Sequence, residues 1–190
     1  SILVLFTILY MLTIILMEKK DKEIYKGLSD TDALTGLFNR RAFQAAVDET
    51  LLKRISGIFI FIDVDNFKNY NDKYGHANGD LCLKHFAAAM KKCFPKDSIL
   101  GRYGGDEFVV YIKNAAPDAA HRYMDEFQRE ISHLMMSGGE HVTVSASAGG
   151  VAFAGEGEDF VSLCRSADNM LYDVKRNGKG TFKMKGAKNM

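Results

Sequence analysis

Residues 57–65 have the sequence Gly-Ile-Phe-Ile-Phe-Ile-Asp-Val-Asp. The apolar run between Gly57 and Asp63 is typical of a strand that is buried on both faces. Such a strand lies inside a sheet that is covered by helices on each side. Two carboxylates, Asp63 and Asp65, follow where the strand leaves the core. A charged site is therefore expected at this end of the sheet.

A second pattern, ILGRYGGDEFVVYI over residues 99–112, predicts a β-hairpin with strands over 99–103 and 108–112. Its turn contains Gly104 and Gly105, which permit positive φ and close approach of the backbone to a ligand. Asp106 and Glu107 follow the glycines. If the hairpin lies beside the strand that ends at Asp63, the carboxylates converge. Oxygen ligands of this kind suit Mg²⁺ that bridges substrate phosphates.

The remaining segments alternate between helical and extended patterns. Strands that alternate with helices, together with one hairpin, predict an α/β fold in which helices pack on a mixed sheet. The basic, glycine-containing segment 177–190 follows as a tail. The predicted helices span residues 40–55, 66–74, 79–94, 117–136 and 159–175, and a further strand spans 142–153.

The composition limits the classes of function. A chain of 190 residues is long enough for one domain and a short appendage. Its 25 basic and 24 acidic residues leave a formal net charge of +1, which argues against nucleic acid as a partner. Three cysteines without metal-ligand spacing indicate reduced thiols rather than disulfides or a zinc site.

The N-terminal segment differs in character from the rest. Residues 2–17 contain no charge, and a helix of this length would reach about 24 Å, short of the ~30 Å hydrocarbon core of a membrane. We interpret residues 1–17 as the end of a transmembrane helix in a chain that has been cut upstream, since it begins with Ser1. A signal-peptide core and a buried helix are the alternatives.

Charge and order along the chain then predict the organisation. The segment EKKDKEIYK at 18–26 contains four lysines, which favours the cytoplasmic side for the residues downstream. We therefore expect the protein at the inner (cytoplasmic) membrane, anchored through its N-terminal segment, with its folded domain in the cytoplasm. The predicted divisions are a membrane segment, a linker or signalling helix, the domain and a tail, at residues 1–17, 18–30, 31–185 and 186–190.

Five motifs in order give the chain a family resemblance. They are DALTGLFNRR at 32–41, DVDNFK at 63–68, ND with YGHANGD at 71–80, RYGGDEF at 102–108, and LY with KRNGK at 171–179. Over nearly all of residues 30–182 the chain resembles the GGDEF family, the diguanylate cyclases. The resemblance implies a palm-like α/β fold, shared with class III nucleotide cyclases and many polymerases, in which a hairpin presents the GGDEF turn.

The resemblance also implies an activity. Family members condense two GTP molecules into cyclic di-GMP as a homodimer that holds one GTP per subunit. Two alternatives stay open at this point. The first is a catalytically weak or inactive GGDEF module that binds GTP or protein partners in a signalling pathway. The second is another palm enzyme, such as an adenylyl or guanylyl cyclase.

The resemblance assigns roles to individual positions. Asp63, Asp106 and Glu107 match the catalytic acidic residues. The metal, Mg²⁺ or alternatively Mn²⁺, is expected on the side chains of these three residues and on the carbonyl of Val64. The positions that match substrate-binding residues are Phe67 and Lys68, whose amides face phosphate at a helix start; Lys175 and Lys179 for the outer phosphates; Asn71 and Asp80 for guanine; and Gly104 and Gly105 in the turn.

Several of these positions have a second interpretation. Asp65 precedes the helix that is predicted to begin near Asn66, and we favour a role as its N-cap. Lys175 and Lys179 could belong to a solvated basic tail. The family commonly has Arg where Lys179 stands, so the bidentate contact with phosphate is lost there. Asp80 favours GTP, because a carboxylate accepts from guanine N1–H and the exocyclic amine, whereas adenine presents an acceptor at N1.

Overall fold

The computed structural model describes residues 6, 8–17, 30–135, 139 and 141–185. Helix α1 includes residues 8–17. The elements that follow are β1 (Phe38–Asn39), α2 (Arg40–Leu52), β2 (Gly57–Val64), α3 (Phe67–Tyr74), α4 (His76–Cys93), β3 (Ile99–Gly104), β4 (Glu107–Lys113), α5 (Pro117–Ile131), β5 (Leu134–Met135), β6 (His141–Val142), β7 (Ala146–Phe153), α6 (Phe160–Arg176) and β8 (Phe182–Lys185).

A mixed six-stranded sheet organises the described part of the chain. Its strand order is β1-β3-β4-β2-β7-β8. The inner strand β2 runs antiparallel to both β4 and β7, and every one of its residues is buried. The edge strands β1 and β8 pair in parallel with β3 and β7. The buried central strand and the hairpin β3–β4 confirm the predicted α/β architecture.

The two faces of β2 contact different helices, because successive side chains of a strand point to opposite faces. Ile58, Ile60 and Ile62 belong to the core on the side of α4 and α5. Phe59 and Phe61 belong to a second core that includes residues of α2 and α6. Asp63 continues this second series, so its side chain lies on the α6 side of the sheet.

Several predicted elements end or begin elsewhere. Helix α5 ends at Ile131 rather than near residue 136, and β5 follows it. The strand predicted over 142–153 is divided: His141–Val142 pairs with β5 in a separate two-stranded sheet, whereas β7 begins at Ala146. Helix α4 begins at His76, three residues before the predicted start. Local periodicity places these boundaries poorly because pairing with distant segments decides them.

Strand β8 corrects the interpretation of the C-terminal segment as a basic tail. Phe182 pairs in parallel with Ala148 of β7, and Lys185 pairs with Val151. The alternation of half-buried and exposed residues along Phe182–Lys185 is typical of an edge strand that is covered on one face. Four residues that alternate lysine with Phe and Met gave too short a pattern to predict it.

The terminal segments are described only in part. Large apolar side chains of α1, such as Leu9 and Met17, are more than half exposed. No helix among the described residues is both long enough and apolar enough to span a membrane. The predicted linker, apart from Asp30, and the predicted tail at 186–190 lie outside the described residues. The predicted transmembrane segment at 1–17 is described at 6 and 8–17 and stays a prediction.

Candidate functional site

The predicted acidic residues meet at one end of the sheet. Asp63 at the end of β2 lies directly opposite Glu107 at the start of β4. The N–H of Val64 donates to the carbonyl of Asp106 at 3.1 Å, which fixes the hairpin turn against the end of β2. Lys175 of α6 places its Nζ 2.8 Å from Oδ2 of Asp63. The structure therefore brings these residues together as the sequence predicted.

Negative charge is concentrated in this cluster. Burial raises the pKa of Asp63; the ion pair with Lys175 acts in the opposite direction, and the charge of Asp106 adds to the increase. Burial also raises the pKa of Glu107, and the charges of Asp63 and Asp106 raise it further. One lysine thus does not balance the carboxylates, and an additional cation would stabilise their ionised forms.

The donor chemistry of the cluster fits a hard divalent cation, because carboxylate and carbonyl oxygens are the ligands that Mg²⁺ takes in proteins. In the part of the chain that the structure describes, no three His, Cys, Asp or Glu side chains are already spaced to hold a metal ion. One oxygen of Asp63 instead contacts Lys175. The ligand set of Asp63, Val64, Asp106 and Glu107 stays a prediction.

The glycines of the turn act differently from the prediction. Neither Gly104 nor Gly105 has a positive φ, so the turn does not use the backbone freedom that glycine permits. A Cβ on Gly104 would lie 3.1 Å from Oε2 of Glu107, whereas one on Gly105 would meet nothing within 4 Å. A Cβ at position 104 would therefore displace the Glu107 carboxylate by a few tenths of an ångström, and Gly105 leaves the tip of the turn open.

The guanidinium of Arg102 stabilises the same turn through hydrogen bonds. Its Nε and Nη2 donate to the carbonyl of Gly105 at 3.0 and 2.7 Å. Its Nη1 donates to both carboxylate oxygens of Asp32 at 3.1 Å. Arg102 thus joins the turn to the first residue of the DALTGLFNRR motif, and sequence reasoning assigned it no role.

Asp65 is not an N-cap, and this interpretation is corrected by the structure. Its carboxylate accepts from Oγ of Ser145 at 2.7 Å, Oγ of Ser147 at 2.6 Å and the N–H of Gly180 at 3.0 Å. The residue before α3 is Asn66, whose side chain makes no capping hydrogen bond. The donors to Asp65 lie 80 to 115 residues later in the chain, so no local pattern could reveal them.

The predicted phosphate-binding segment lies at the start of α3. Asn66 has left-handed φ and ψ of 56° and 28°, and the helix begins at Phe67 with Lys68 exposed behind it. Because no side chain caps the helix, its first amides are available to an anion. Nζ of Lys179 donates to Oδ1 of Asn66 at 2.8 Å, which brings a cation to this helix start. Lys179 therefore lies at the site rather than in a solvated tail.

The predicted guanine-binding residues lie where α3 meets α4. A Cβ on Gly79 would overlap with Oδ1 of Asn71, so the Asn71 side chain takes this position because residue 79 is glycine. Oδ1 of Asn71 is buried without a hydrogen-bond partner among the described residues. Asp80, next to Gly79, is exposed. A buried, unpaired amide oxygen is expected to gain stability from a ligand N–H.

A cleft beside the acidic cluster was not predicted. It has a volume of about 370 Å³ and is lined by Phe61, Tyr103, Glu107, Cys164, Arg165 and Asp168. Arg40 stacks over the ring of Tyr103, 4.4 Å from its centroid. No single motif marks this cleft, because its residues come from β2, β3, β4 and α6 and only Tyr103 and Glu107 share the motif RYGGDEF. The one sequence signal is the helical spacing of the polar residues in α6.

Comparison with known proteins places the chain in a family. The family model for the "Diguanylate cyclase, GGDEF domain" matches residues 29–181. The chain belongs to the GGDEF family.

Individual relatives agree with that assignment. A "Diguanylate cyclase" of Vibrio cholerae is 34% identical over 164 residues, which cover 83% of this chain and 50% of the relative. The "Cyclic di-GMP phosphodiesterase PdeR" of Escherichia coli is 33% identical over 168 residues, which cover 87% of this chain and 25% of the relative. This GGDEF chain thus spans half or less of each of these two curated relatives.

The fold of the GGDEF domain agrees with solved structures. The coiled coil and GGDEF domain of DgcB from Caulobacter crescentus, in complex with c-di-GMP, matches with a TM-score of 0.80 and 26% identity. The match covers 91% of this chain and 95% of that one. Diguanylate cyclase SiaD from Pseudomonas aeruginosa, in complex with its activator SiaC, matches with a TM-score of 0.78 and 27% identity, covering 91% and 71% of the two chains. The predicted palm-like α/β fold is confirmed.

Proposed function

We propose that this GGDEF domain is a diguanylate cyclase that condenses two GTP molecules into cyclic di-GMP and two pyrophosphates. In each of two steps a 3′-hydroxyl attacks an α-phosphate, a phosphorus–oxygen bond forms, and pyrophosphate leaves. The observation that carries the proposal is the opposition of Asp63 and Glu107 across β2 and β4. A buried and a half-buried carboxylate with raised pKa values at one end of a sheet are typical of a catalytic site.

The proposed substrate-binding roles agree with the positions of the groups. Oδ1 of Asn71 would accept from guanine, and the carboxylate of Asp80 would accept from N1–H and the exocyclic amine. The amides at the start of α3 and the ammonium of Lys179 would bind phosphate oxygens. Because adenine presents an acceptor at N1, the Asp80 carboxylate would disfavour ATP.

Asp63, Asp106, Glu107 and the carbonyl of Val64 would hold Mg²⁺ or Mn²⁺. When bound, the cation neutralises triphosphate charge and lowers the pKa of the attacking hydroxyl. Lys175 contributes separately, since its ion pair favours the ionised form of Asp63 and orients one of its oxygens. Gly104 leaves the space in which Glu107 reaches the same point.

The reaction implies an assembly, and the N-terminal sequence predicts a location. Two nucleotide-bearing sites must face each other, so the active form is a homodimer. Its anchor would be the uncharged N-terminal segment at the inner membrane, with the GGDEF domain in the cytoplasm, in agreement with the four lysines at 18–26.

The test is a product assay on the full chain in detergent, with GTP or ATP and either Mg²⁺ or Mn²⁺. Mass spectrometry identifies the nucleotide formed. We expect cyclic di-GMP from GTP, no cyclic product from ATP, and loss of product in Glu107→Gln. The matched control is Glu156→Gln, which removes an exposed carboxylate that pairs with Arg54. GTP binding without any product would overturn the cyclase and favour the non-catalytic GGDEF module.

A further inference from the structure

One side of helix α6 faces solvent beside the active site. Val161, Arg165, Asp168 and Tyr172 are spaced by four, three and four residues, so they lie along one side of the helix. We call these four residues the α6 stripe. The opposite side of the helix, which includes Leu163, is buried on the sheet.

The α6 stripe contains two exposed apolar side chains on one element. Val161 is 55% exposed and Tyr172 is 60% exposed. Among the described residues from 30 onward, the other exposed large apolar side chains lie singly on other elements: Phe38, Leu52 and Leu81. An exposed valine and an exposed tyrosine around charged groups have the composition of a protein-contact surface.

The stripe is continuous with the acidic cluster. Arg165 and Asp168 line the same 370 Å³ cleft as Glu107. A body that covers the stripe therefore also covers one side of the candidate active site. This position distinguishes α6 from α4 and α5, which pack on the other face of the sheet.

The charges of the stripe are self-complementary. Arg165 and Asp168 are exposed and three residues apart, yet neither forms a hydrogen bond or an ion pair with any residue that the structure describes. In an interface with two-fold symmetry, the same patch is used by both copies. Arg165 of one copy can then contact Asp168 of the partner subunit, and the reciprocal pair forms at the same time.

We propose that the α6 stripe is the surface on which a second copy of this chain docks, with Arg165 paired to Asp168 of the partner subunit. The inference rests on the proposed function, because condensation of two GTP molecules leaves each site incomplete without the other. A standard stable interface buries ~800 Å² per partner, which is more surface than four side chains supply. Association is therefore weak without nucleotide and strengthens when both copies hold it.

A charge-swap cycle on the full chain in detergent tests the surface. Association is measured by energy transfer between copies labelled at the C-terminus, over a protein concentration series with Mg²⁺ and 3′-deoxy-GTP, which lacks the attacking hydroxyl. We expect Arg165→Asp and Asp168→Arg each to raise the concentration for half-association at least tenfold. The double swap should return it to within threefold of the unsubstituted chain.

Two controls separate docking from folding and from nucleotide binding. Arg122→Asp with Asp125→Arg makes the same swap at the same spacing on exposed positions of α5 and should leave association unchanged. In every variant the melting temperature should stay within a few degrees of the unsubstituted chain. The affinity for 3′-deoxy-GTP, measured at a concentration where the chain is monomeric, should stay within twofold.

The outcomes for the surface and for the cyclase are distinguishable. Single swaps that associate normally, or a double swap no better than either single, overturn the α6 surface even if cyclic di-GMP is made. A chain that associates in the predicted charge-dependent way but yields no cyclic di-GMP supports the surface and overturns the cyclase proposal instead.

Discussion

Asp63 and Asp65 are two residues apart at the same end of β2, and their surroundings differ completely. Asp65 accepts three hydrogen bonds, from two serine hydroxyls and one backbone amide. Asp63 has one cation, Lys175, and otherwise faces the charges of other carboxylates. A carboxylate whose acceptor capacity is used by the fold stabilises the fold, whereas a carboxylate crowded by like charge is available to a ligand.

The difference arises from what each carboxylate joins. Asp65 connects the end of β2 to the residues that lead into β7 and to Gly180, which precedes β8. It therefore holds three separate stretches of chain at the edge of the site. Asp63 lies on the α6 side of the sheet and has little to hold in place except Lys175. The first residue positions the site, and the second is part of it.

The largest effect is expected from Asp63→Asn. This change removes one acidic ligand position while keeping the shape of the side chain, and we expect the rate of cyclic di-GMP formation to fall about a thousandfold, or ~4 kcal/mol in the activation free energy. Product formation from GTP measures it, and circular dichroism should stay unchanged. A variant that retains a tenth of the activity would contradict the functional half of the comparison.

The structural half is tested by Asp65→Ala. Loss of a charged acceptor for Ser145, Ser147 and Gly180 should lower the free energy of unfolding by about 3 kcal/mol, since Ser147 is fully buried. Urea unfolding measures the change, with Asp63→Asn as the matched control that should not lose stability. If the two variants proved equally stable, the assignment of Asp65 to the fold would be wrong.

The pH dependence of the free energy of unfolding tests the surroundings of Asp63. Its pKa is raised above 3.8 in the folded state, mainly by burial, so its ionised form costs stability above the raised pKa. The cost disappears as the pH falls through that value, because the carboxyl is then protonated in the folded state. In metal-free buffer, Asp63→Asn should gain stability relative to the unsubstituted chain as the pH rises from about 4 to 7. A gap that widens toward low pH would reverse the sign and refute the argument.

The smallest effect is expected from Lys179→Arg. The ammonium of Lys179 contacts Asn66, which directly follows Asp65 in the chain. A guanidinium can bind phosphate through two parallel hydrogen bonds, so we expect roughly threefold tighter binding of 3′-deoxy-GTP, or about 0.7 kcal/mol. Calorimetry measures it, and Lys183→Arg on β8 serves as the control. Unchanged or weaker binding would show that Lys179 does not contact the triphosphate.

The sequence predicted the parts of the fold that depend on local pattern. The predictions of β2 from its apolar run and of the turn between β3 and β4 were correct. Together they were enough to predict that Asp63 and Glu107 lie close to each other. The parts that failed depend on contacts between distant residues. Asp65 was assigned to a helix cap because its donors, Ser145, Ser147 and Gly180, come from elsewhere in the chain.

Packing between elements was equally invisible in the sequence. Gly79 lies within helix α4, so no turn conformation explains a glycine there. Its role is visible only in the packing, because Asn71 occupies the space that a Cβ on residue 79 would take. The cleft beside α6 was missed for the same reason, since its residues come from four elements and only Tyr103 and Glu107 share a motif. Sequence reasoning therefore found the chemistry of the site and missed much of what positions it.

Arg102 gives the domain a short mechanical path. Asp32 and Arg102 are 70 residues apart in the sequence, and three helices and the central strand β2 lie between them, yet one guanidinium connects Asp32 to the carbonyl of Gly105. The acidic turn is therefore linked through Arg102 to the residue with which the first motif begins. A change in the position of Asp32 would reach the turn by this route, which bypasses the three helices between them.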